Sequence, residues 1–134
     1  MAKKQTFIFA VGKRKTASAR VRLFKGKGEN LVNGIALEKY FPGPVNRVAW
    51  EKPFSLTDTK DKYYVSAKIA GSGKEGQLTA LVLGIARTLI LADPEKFKPA
   101  LKKAGLLTRD SRIRQRRMVG TGGKARRKKQ SPKR

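Results

Sequence analysis

The sequence predicts an α+β domain, a sheet of about four strands with helices packed on it, followed by an extended basic C-terminal tail. Residues 16–23 and 63–69 alternate apolar with polar side chains, which is the period of a strand with one buried face. Between residues 78 and 90 apolar side chains recur at three- and four-residue spacing, which predicts a long helix with a broad apolar face. Beyond residue 108 neither period is present. A chain of 134 residues has room for one core and an appendage.

The first part of the chain is predicted to form three strands. Residues 6–11 are apolar on both faces, which suits an internal strand. Residues 16–23 place apolar side chains on one face and Arg20 and Arg22 on the other, so that one face packs and the other is basic. Residues 25–28 are typical of a turn, and residues 29–32 of a short returning strand that ends at Asn33-Gly34.

Helices are predicted to dominate the remainder. Two short ones, at residues 36–41 and 45–52, are bounded by prolines, the second ending before Pro53. The strand at residues 63–69 leads through a glycine-rich turn into the long helix. A last helix opens at Asp93, which is suited to be an N-cap because a proline and an acidic residue follow it, and ends by Gly105.

The charge of the chain predicts a polyanionic partner. There are 33 lysines and arginines against 9 acidic residues, a formal net charge of +24, far more than solubility requires. Nucleic acid, an anionic membrane surface and an acidic protein compete for it. No membrane-spanning segment is expected, because the longest apolar stretch is interrupted by Arg87 and is shorter than about 20 residues, and no membrane is among the partners we expect. No secretory signal is expected either, because residues 7–11 run directly into a basic segment.

Catalysis has little support in the composition. Histidine and cysteine are absent, which removes the commonest general base, the commonest metal ligand and the thiol nucleophile. The nine acidic residues are dispersed without the spacing of a carboxylate pair or a metal site. We therefore expect neither an enzyme nor a bound metal or cofactor.

The tail, residues 109–134, is the strongest candidate site. It contains twelve lysines and arginines, a single acidic residue and four apolar side chains, so it is expected to be disordered without RNA, in contrast to the globular domain at residues 1–108. Each basic side chain that neutralises a phosphate adds salt-sensitive affinity, and arginine also stacks on bases. The predicted contacts are Arg109, Arg112, Arg114, Arg116 and Arg117, then Lys124, Arg126, Arg127, Lys128 and Lys129. Residues 120–123 between these clusters act either as a swivel close to RNA or as a plain flexible linker.

A second basic group is predicted on the globular domain. Its candidate contacts, from a loop and one strand face, are Lys13, Arg14, Lys15, Arg20 and Arg22, extended by Lys25 and Lys27. The alternative is scattered, solvated surface charge.

The segment Gly71-Ser72-Gly73-Lys74 lies between a strand and a helix, as phosphate-binding loops do. Lys74 is followed by Glu75 instead of serine or threonine, so nucleotide binding is not expected. Two interpretations are left open: a backbone site for an RNA phosphate at the helix N-terminus, and a tight strand-to-helix turn.

Four segments in order resemble the family of small-subunit ribosomal protein nine. They are VGKRKTASARV at residues 11–21, GSG with GQ at 71–73 and 76–77, GIAR at 84–87, and LTRDSR at 107–112. The resemblance covers nearly the whole chain and is specific because the motifs occur together.

The resemblance implies a mixed sheet with packed helices, in the fold shared with the second domain of ribosomal protein five. It also implies binding to small-subunit rRNA in the subunit head, beside neighbouring ribosomal proteins, in a cytoplasmic or, alternatively, an organellar ribosome. The tail would reach the anticodon stem-loop of peptidyl-site tRNA, with Lys133 and Arg134 as the contacts. Two departures are that residues 130–134 lack the family's aromatic residue and that residues 120–123 form a stretch about two residues longer.

Two further hypotheses compete with this one. A duplex-DNA architectural protein would use the same tail, although no recognition helix or minor-groove wedge is recognisable. A small-molecule kinase on the same fold would bind nucleotide at residues 71–74.

Overall fold

The computed structural model describes residues 7–120, which form one mixed sheet with helices on one face. The strands are β1 Phe7–Arg14, β2 Ala17–Lys25, β3 Leu31–Val32, β4 Ile35–Ala36 and β5 Tyr63–Ala70. The helices are α1 Leu37–Tyr40, α2 Pro44–Thr57, α3 Lys74–Ala92 and α4 Pro94–Lys103. The strand order is β1-β2-β5-β3-β4, antiparallel throughout except for the parallel pair β3–β5. The predicted α+β class and mixed sheet are confirmed. The sheet has five strands instead of about four, because the prediction missed β4, which has only two residues.

The core lies between the sheet and the helices. On β2, the predicted apolar face is buried completely, and Val65, Ala67 and Ile69 of β5 continue it. Helix α3 covers this face through Leu81, Ile85 and Leu89. By length and composition α3 would pass as a membrane-spanning helix, but half of that segment is buried inside the fold, where it forms the core.

The opposite face of the sheet, which we call the open face, is polar and aromatic. Because β-strand side chains alternate, the register fixes its members. From the hairpin end of the sheet they are Lys13, Ser18 and Ala70; Val11, Arg20 and Lys68; Phe9, Arg22 and Ser66; and Phe7, Phe24 and Tyr64. Arg20, Arg22 and Lys68 are exposed, as the alternation in residues 16–23 predicted for the arginines.

Strand β1 is an edge strand, so the prediction of an internal strand at residues 6–11 is wrong. Its apolar character on both faces has two separate causes. Helix α3 packs against the helix side of β1, whereas Phe7 and Phe9 lie on the open face with 46% of their surface exposed. An apolar run can thus indicate one covered face plus an aromatic surface patch.

Helix α2 continues through Pro53 to Thr57, beyond the predicted end at residue 52. Proline lacks the backbone donor for one helical hydrogen bond. Burial of Trp50, Pro53 and Phe54 against the core offsets that loss, and the Thr57 hydroxyl donates to the Pro53 carbonyl over 2.9 Å. At α4 the predicted N-cap is confirmed, because Asp93 Oδ1 accepts from the Lys96 amide at 3.3 Å.

Candidate nucleic-acid interface

The turn between β1 and β2 lies directly against the glycine-rich loop before α3. Gly71 has a φ of +85°, and a Cβ on it would lie 2.3 Å from the Thr16 carbonyl oxygen. A Cβ on Gly76 would meet the Ser72 hydroxyl at 2.6 Å. Gly71 therefore requires glycine, both for its backbone conformation and because a Cβ would meet a backbone oxygen, whereas at Gly76 the contact is with a serine side chain that can rotate. Two segments that are far apart in sequence are joined into one corner of the domain.

Side-chain hydrogen bonds hold the glycine-rich loop in place. Gln77 donates through Nε2 to the Gly71 carbonyl at 3.1 Å, and the Tyr40 hydroxyl donates to Gln77 Oε1 at 2.8 Å. Lys74 Nζ lies 3.5 Å from the centre of the Tyr40 ring, so its charge points back to α1. This geometry is that of a tight strand-to-helix turn, and a phosphate site there stays a prediction.

Arg14 holds the first residues of the tail. Its Nη1 donates to the Asp110 carbonyl at 3.3 Å and to the Arg112 carbonyl, and its Nη2 lies 3.7 Å from Asp110 Oδ2. Only 16% of the Arg14 side chain is exposed. Arg14 is thus bound to the chain itself, and it fixes the direction in which residues 109–112 leave the domain.

Asp110 completes this contact. Arg112 donates to both carboxylate oxygens, from Nε at 2.9 Å and from Nη2 at 2.8 Å, and its amide donates to Oδ1 at 3.0 Å. These hydrogen bonds, helped by the charges of Arg112 and Arg14, hold the pKa of Asp110 well below its usual range, and the pKa of Arg112 is raised in return. Because the folded pKa is lowered, the contribution of Asp110 is complete above its ordinary pKa near 4 and is lost as pH falls through the lowered value. The contact therefore persists unchanged through neutral pH.

Replacing Arg14 with glutamine should release the start of the tail. The substitution removes the ion pair and the charge-assisted hydrogen bonds of a side chain that is mostly buried, so cleavage by trypsin after Arg109 and Arg112 should accelerate about fivefold. Arg47→Gln is the matched control, because Arg47 pairs with Glu38 and Glu51 on α1 and α2. Equal cleavage rates in the Arg14 variant and the unsubstituted chain would contradict the anchoring role.

The other predicted contacts divide by position. Lys13 and Lys15 lie at the hairpin end, Arg20 and Arg22 on the open face, and Lys25 and Lys27 at and beyond the far end of β2. Lys25 is an odd number of residues from Arg20 and Arg22, so the alternation of the strand puts it on the helix side of β2 and not on the open face. Arg109, Arg114, Arg116 and Arg117 are exposed in a segment that has neither helix nor strand between residues 104 and 118. Lys124, Arg126, Arg127, Lys128, Lys129, Lys133 and Arg134 lie outside the described residues.

Sequence reasoning missed part of this surface. Lys68 is directly opposite Arg20 in the β2–β5 register, and Phe9 is directly opposite Arg22. The alternation in residues 63–69 already put Lys68 on the polar face of its strand, but the pairing of that strand with β2 was not encoded locally. Arg87 was also missed; its Nη1 donates to the Val11 carbonyl at 2.7 Å, which ties α3 to β1.

Charge on the sheet is of one sign. Within the described strands there is no aspartate or glutamate, while Lys13, Arg20, Arg22 and Lys68 are all exposed. Between residues 7 and 120 no group of three acidic, histidine or cysteine side chains could hold a metal ion. The arrangement is suited to binding a polyanion, with no feature of a catalytic centre on the sheet.

Comparison with known proteins gives one family. Residues 12–134 match the model described as ribosomal protein S9/S16. The chain is 49% identical over 111 residues to small ribosomal subunit protein uS9 of Cutibacterium acnes. That alignment covers 83% of this chain and 64% of the relative, so it spans less than two thirds of the relative's length. The match to the family model includes the last three residues of β1 with the hairpin turn, the glycine-rich loop, Arg14 and residues 109–134.

Proposed function

Because the chain belongs to the ribosomal protein S9/S16 family, we propose that it is a non-catalytic structural constituent of the small ribosomal subunit that binds small-subunit rRNA. The observation that carries the proposal is the family match together with a basic sheet face that has no carboxylate in the described strands. Phosphates of folded RNA are the ligands that such a face and a basic tail neutralise. The partners are rRNA and neighbouring ribosomal proteins, and the location is the ribosome in the cytoplasm.

The residues divide between four tasks under this proposal. Lys13, Lys15, Arg20 and Arg22 position the domain on the RNA backbone, which fixes orientation more than it reads sequence. Arg14 and Asp110 direct the tail away from the hairpin end. The basic residues 109–129 then neutralise closely packed RNA strands, and Lys133 and Arg134 contact the anticodon stem-loop of peptidyl-site tRNA.

The test uses small subunits assembled in vitro without their own copy of this protein. The full chain should enter those particles and stay with them through sedimentation at high salt, and in solution it should prefer small-subunit rRNA over duplex DNA. Free protein at the top of the gradient, or a preference for the duplex, would overturn the proposal.

Deleting Lys133 and Arg134 should leave assembly intact and weaken peptidyl-site tRNA binding. The two residues bring two positive charges to the tRNA backbone, and a loss of two phosphate contacts should reduce the salt slope of tRNA affinity by about 1.4. Filter binding of tRNA to assembled subunits over a salt series measures this change in slope. Replacing Lys102 and Lys103 on α4 with glutamine is the charge-matched control. Unchanged tRNA affinity after the deletion would remove the tRNA contact from the proposal.

A further inference from the structure

The open face contains a shallow depression between β1, β2 and β5. It has a volume of about 230 Å³ and is lined by Phe9, Arg20, Arg22, Ser66 and Lys68. Phe9 forms its apolar wall, with 46% of its surface exposed, and three cationic side chains and Ser66 form the rest. An aromatic ring next to unneutralised positive charge is the defining feature of this site.

Phe9 differs from the other three aromatic side chains of the open face, each of which contacts another ring or a cation. Phe24 stacks on Tyr64 at a centroid distance of 5.1 Å, and the backbone of Gly28 approaches the same Tyr64 ring so closely that a Cβ would lie 2.7 Å from it. Phe7 packs on Phe24 at 5.8 Å and carries the Arg22 guanidinium 4.9 Å above its ring. In the part of the chain that the structure describes, neither a ring nor a cation covers Phe9.

Two of the charges around Phe9, those of Arg20 and Lys68, have no carboxylate partner among the described residues. Arg20 and Lys68 are directly opposite each other across β2 and β5, and like charges in that relation destabilise a sheet. Within residues 7–120 no carboxylate pairs with either of them. An anion between Arg20 and Lys68 would relieve this repulsion. A bound phosphate has the charge and the hydrogen-bond acceptors for both side chains.

We propose that the depression binds one unpaired nucleotide of RNA, with its base stacked on Phe9 and its phosphate between Arg20 and Lys68. The inference rests on the proposed function and adds a recognition mode to it. Bases that have left a helix stack on aromatic side chains exposed on sheets, in contrast to duplex regions, which offer a protein mainly phosphates and 2′-hydroxyls. The site would therefore distinguish a bulge, loop or junction from a continuous RNA helix.

Phe9→Leu in the full chain tests the stacking. Leucine keeps an apolar side chain of similar size but has no π-face, so affinity for small-subunit rRNA should fall about tenfold. The salt slope of binding should stay unchanged because no charge is removed. Phe9→Tyr should keep the affinity of the unsubstituted chain, because tyrosine has an aromatic ring on which a base can stack. Arg20→Gln should instead lower the slope by about 0.7, the effect of one phosphate contact on a single strand.

Phe7→Leu is the matched control, because Phe7 has the same exposure but its ring is already covered by Arg22. Its affinity should remain close to that of the unsubstituted chain. Ultraviolet cross-linking followed by trypsin digestion should attach a nucleotide at Phe9, within the peptide of residues 5–13. Equal losses for Phe7→Leu and Phe9→Leu, or a cross-link elsewhere on that peptide, would overturn the inference.

Two results separate this inference from the function on which it rests. If the full chain does not bind rRNA or enter subunits, the proposed function fails. If the chain binds normally but Phe9→Leu has no effect on naked rRNA, the nucleotide site alone is wrong. A Phe9→Leu defect confined to assembled particles would indicate a protein neighbour on this face, and would also overturn the nucleotide site.

Discussion

Removing residues 121–134 should weaken binding to small-subunit rRNA by about three orders of magnitude near physiological salt. The segment contains seven lysines and arginines and no acidic residue. If each neutralises one phosphate, the slope of log affinity against log salt should fall by about 5, at about 0.7 per contact on single strands. The deficit should shrink as salt rises, because the lost free energy comes from counterion release. Affinity measured by filter binding over a salt series tests both the size and the salt dependence.

A comparison of two triple variants separates specific contacts from total charge. Replacing Lys124, Lys128 and Lys129 with glutamine removes three charges from the tail. Replacing Lys98, Lys102 and Lys103 removes three exposed charges from α4, on the helix side of the domain. The tail variant should lower the slope by about 2 and the α4 variant by much less. Equal slopes would mean that the chain binds RNA through its net charge, without a defined tail contact.

Much of the fold could be predicted from the sequence because β2, β5 and α3 each have a clear period. Each of these elements buries one face in the same core, so local pattern and tertiary packing agree. The prediction failed where they diverge. At β1 an aromatic pair on the open face resembled a second buried face, and at Pro53 the burial of neighbouring side chains outweighed the break expected from proline. The two-residue strand β4 is too short to have a period.

The candidate site was predicted less completely, because it depends on contacts between distant segments. The alternation in residues 16–23 was sufficient to put Arg20 and Arg22 on one surface. Arg14, by contrast, binds carbonyl groups 96 and 98 residues further along the chain, and no local pattern encodes that contact. Similarly, the proximity of Phe9 to Lys68 depends on the strand order β1-β2-β5. Composition indicated a polyanionic ligand, and topology was needed to locate the surface on which we propose that it binds.

Gly12→Ala should destabilise the domain more than any other single methyl addition outside the positive-φ turns. Gly12 is buried on the helix side of β1, and a Cβ on it would lie 2.0 Å from the Ala80 carbonyl oxygen and 2.5 Å from the Gly84 amide nitrogen. Both are backbone atoms of α3, so the clash cannot be relieved by a side-chain rotation, and α3 must move away from β1. We expect the free energy of unfolding to fall by about 3 kcal/mol and the melting temperature by about 15 °C. Thermal and urea unfolding of the full chain measure both.

Gly73→Ala is the control for this prediction, because a Cβ on Gly73 meets no atom within 4 Å and its φ of −91° suits any residue. The Gly73→Ala substitution should lower the free energy of unfolding by about 0.5 kcal/mol, because alanine is a weaker N-cap than glycine. Gly84→Ala should be intermediate, since its Cβ would meet the Val21 Cγ2 at 2.6 Å, a side-chain atom that can shift slightly. Because β1 carries Lys13 and Arg14 at its end, displacement of α3 should also disturb the hairpin corner, so Gly12→Ala should accelerate trypsin cleavage after Arg109. A Gly12 variant as stable as the Gly73 variant would mean that β1 and α3 are not in direct backbone contact.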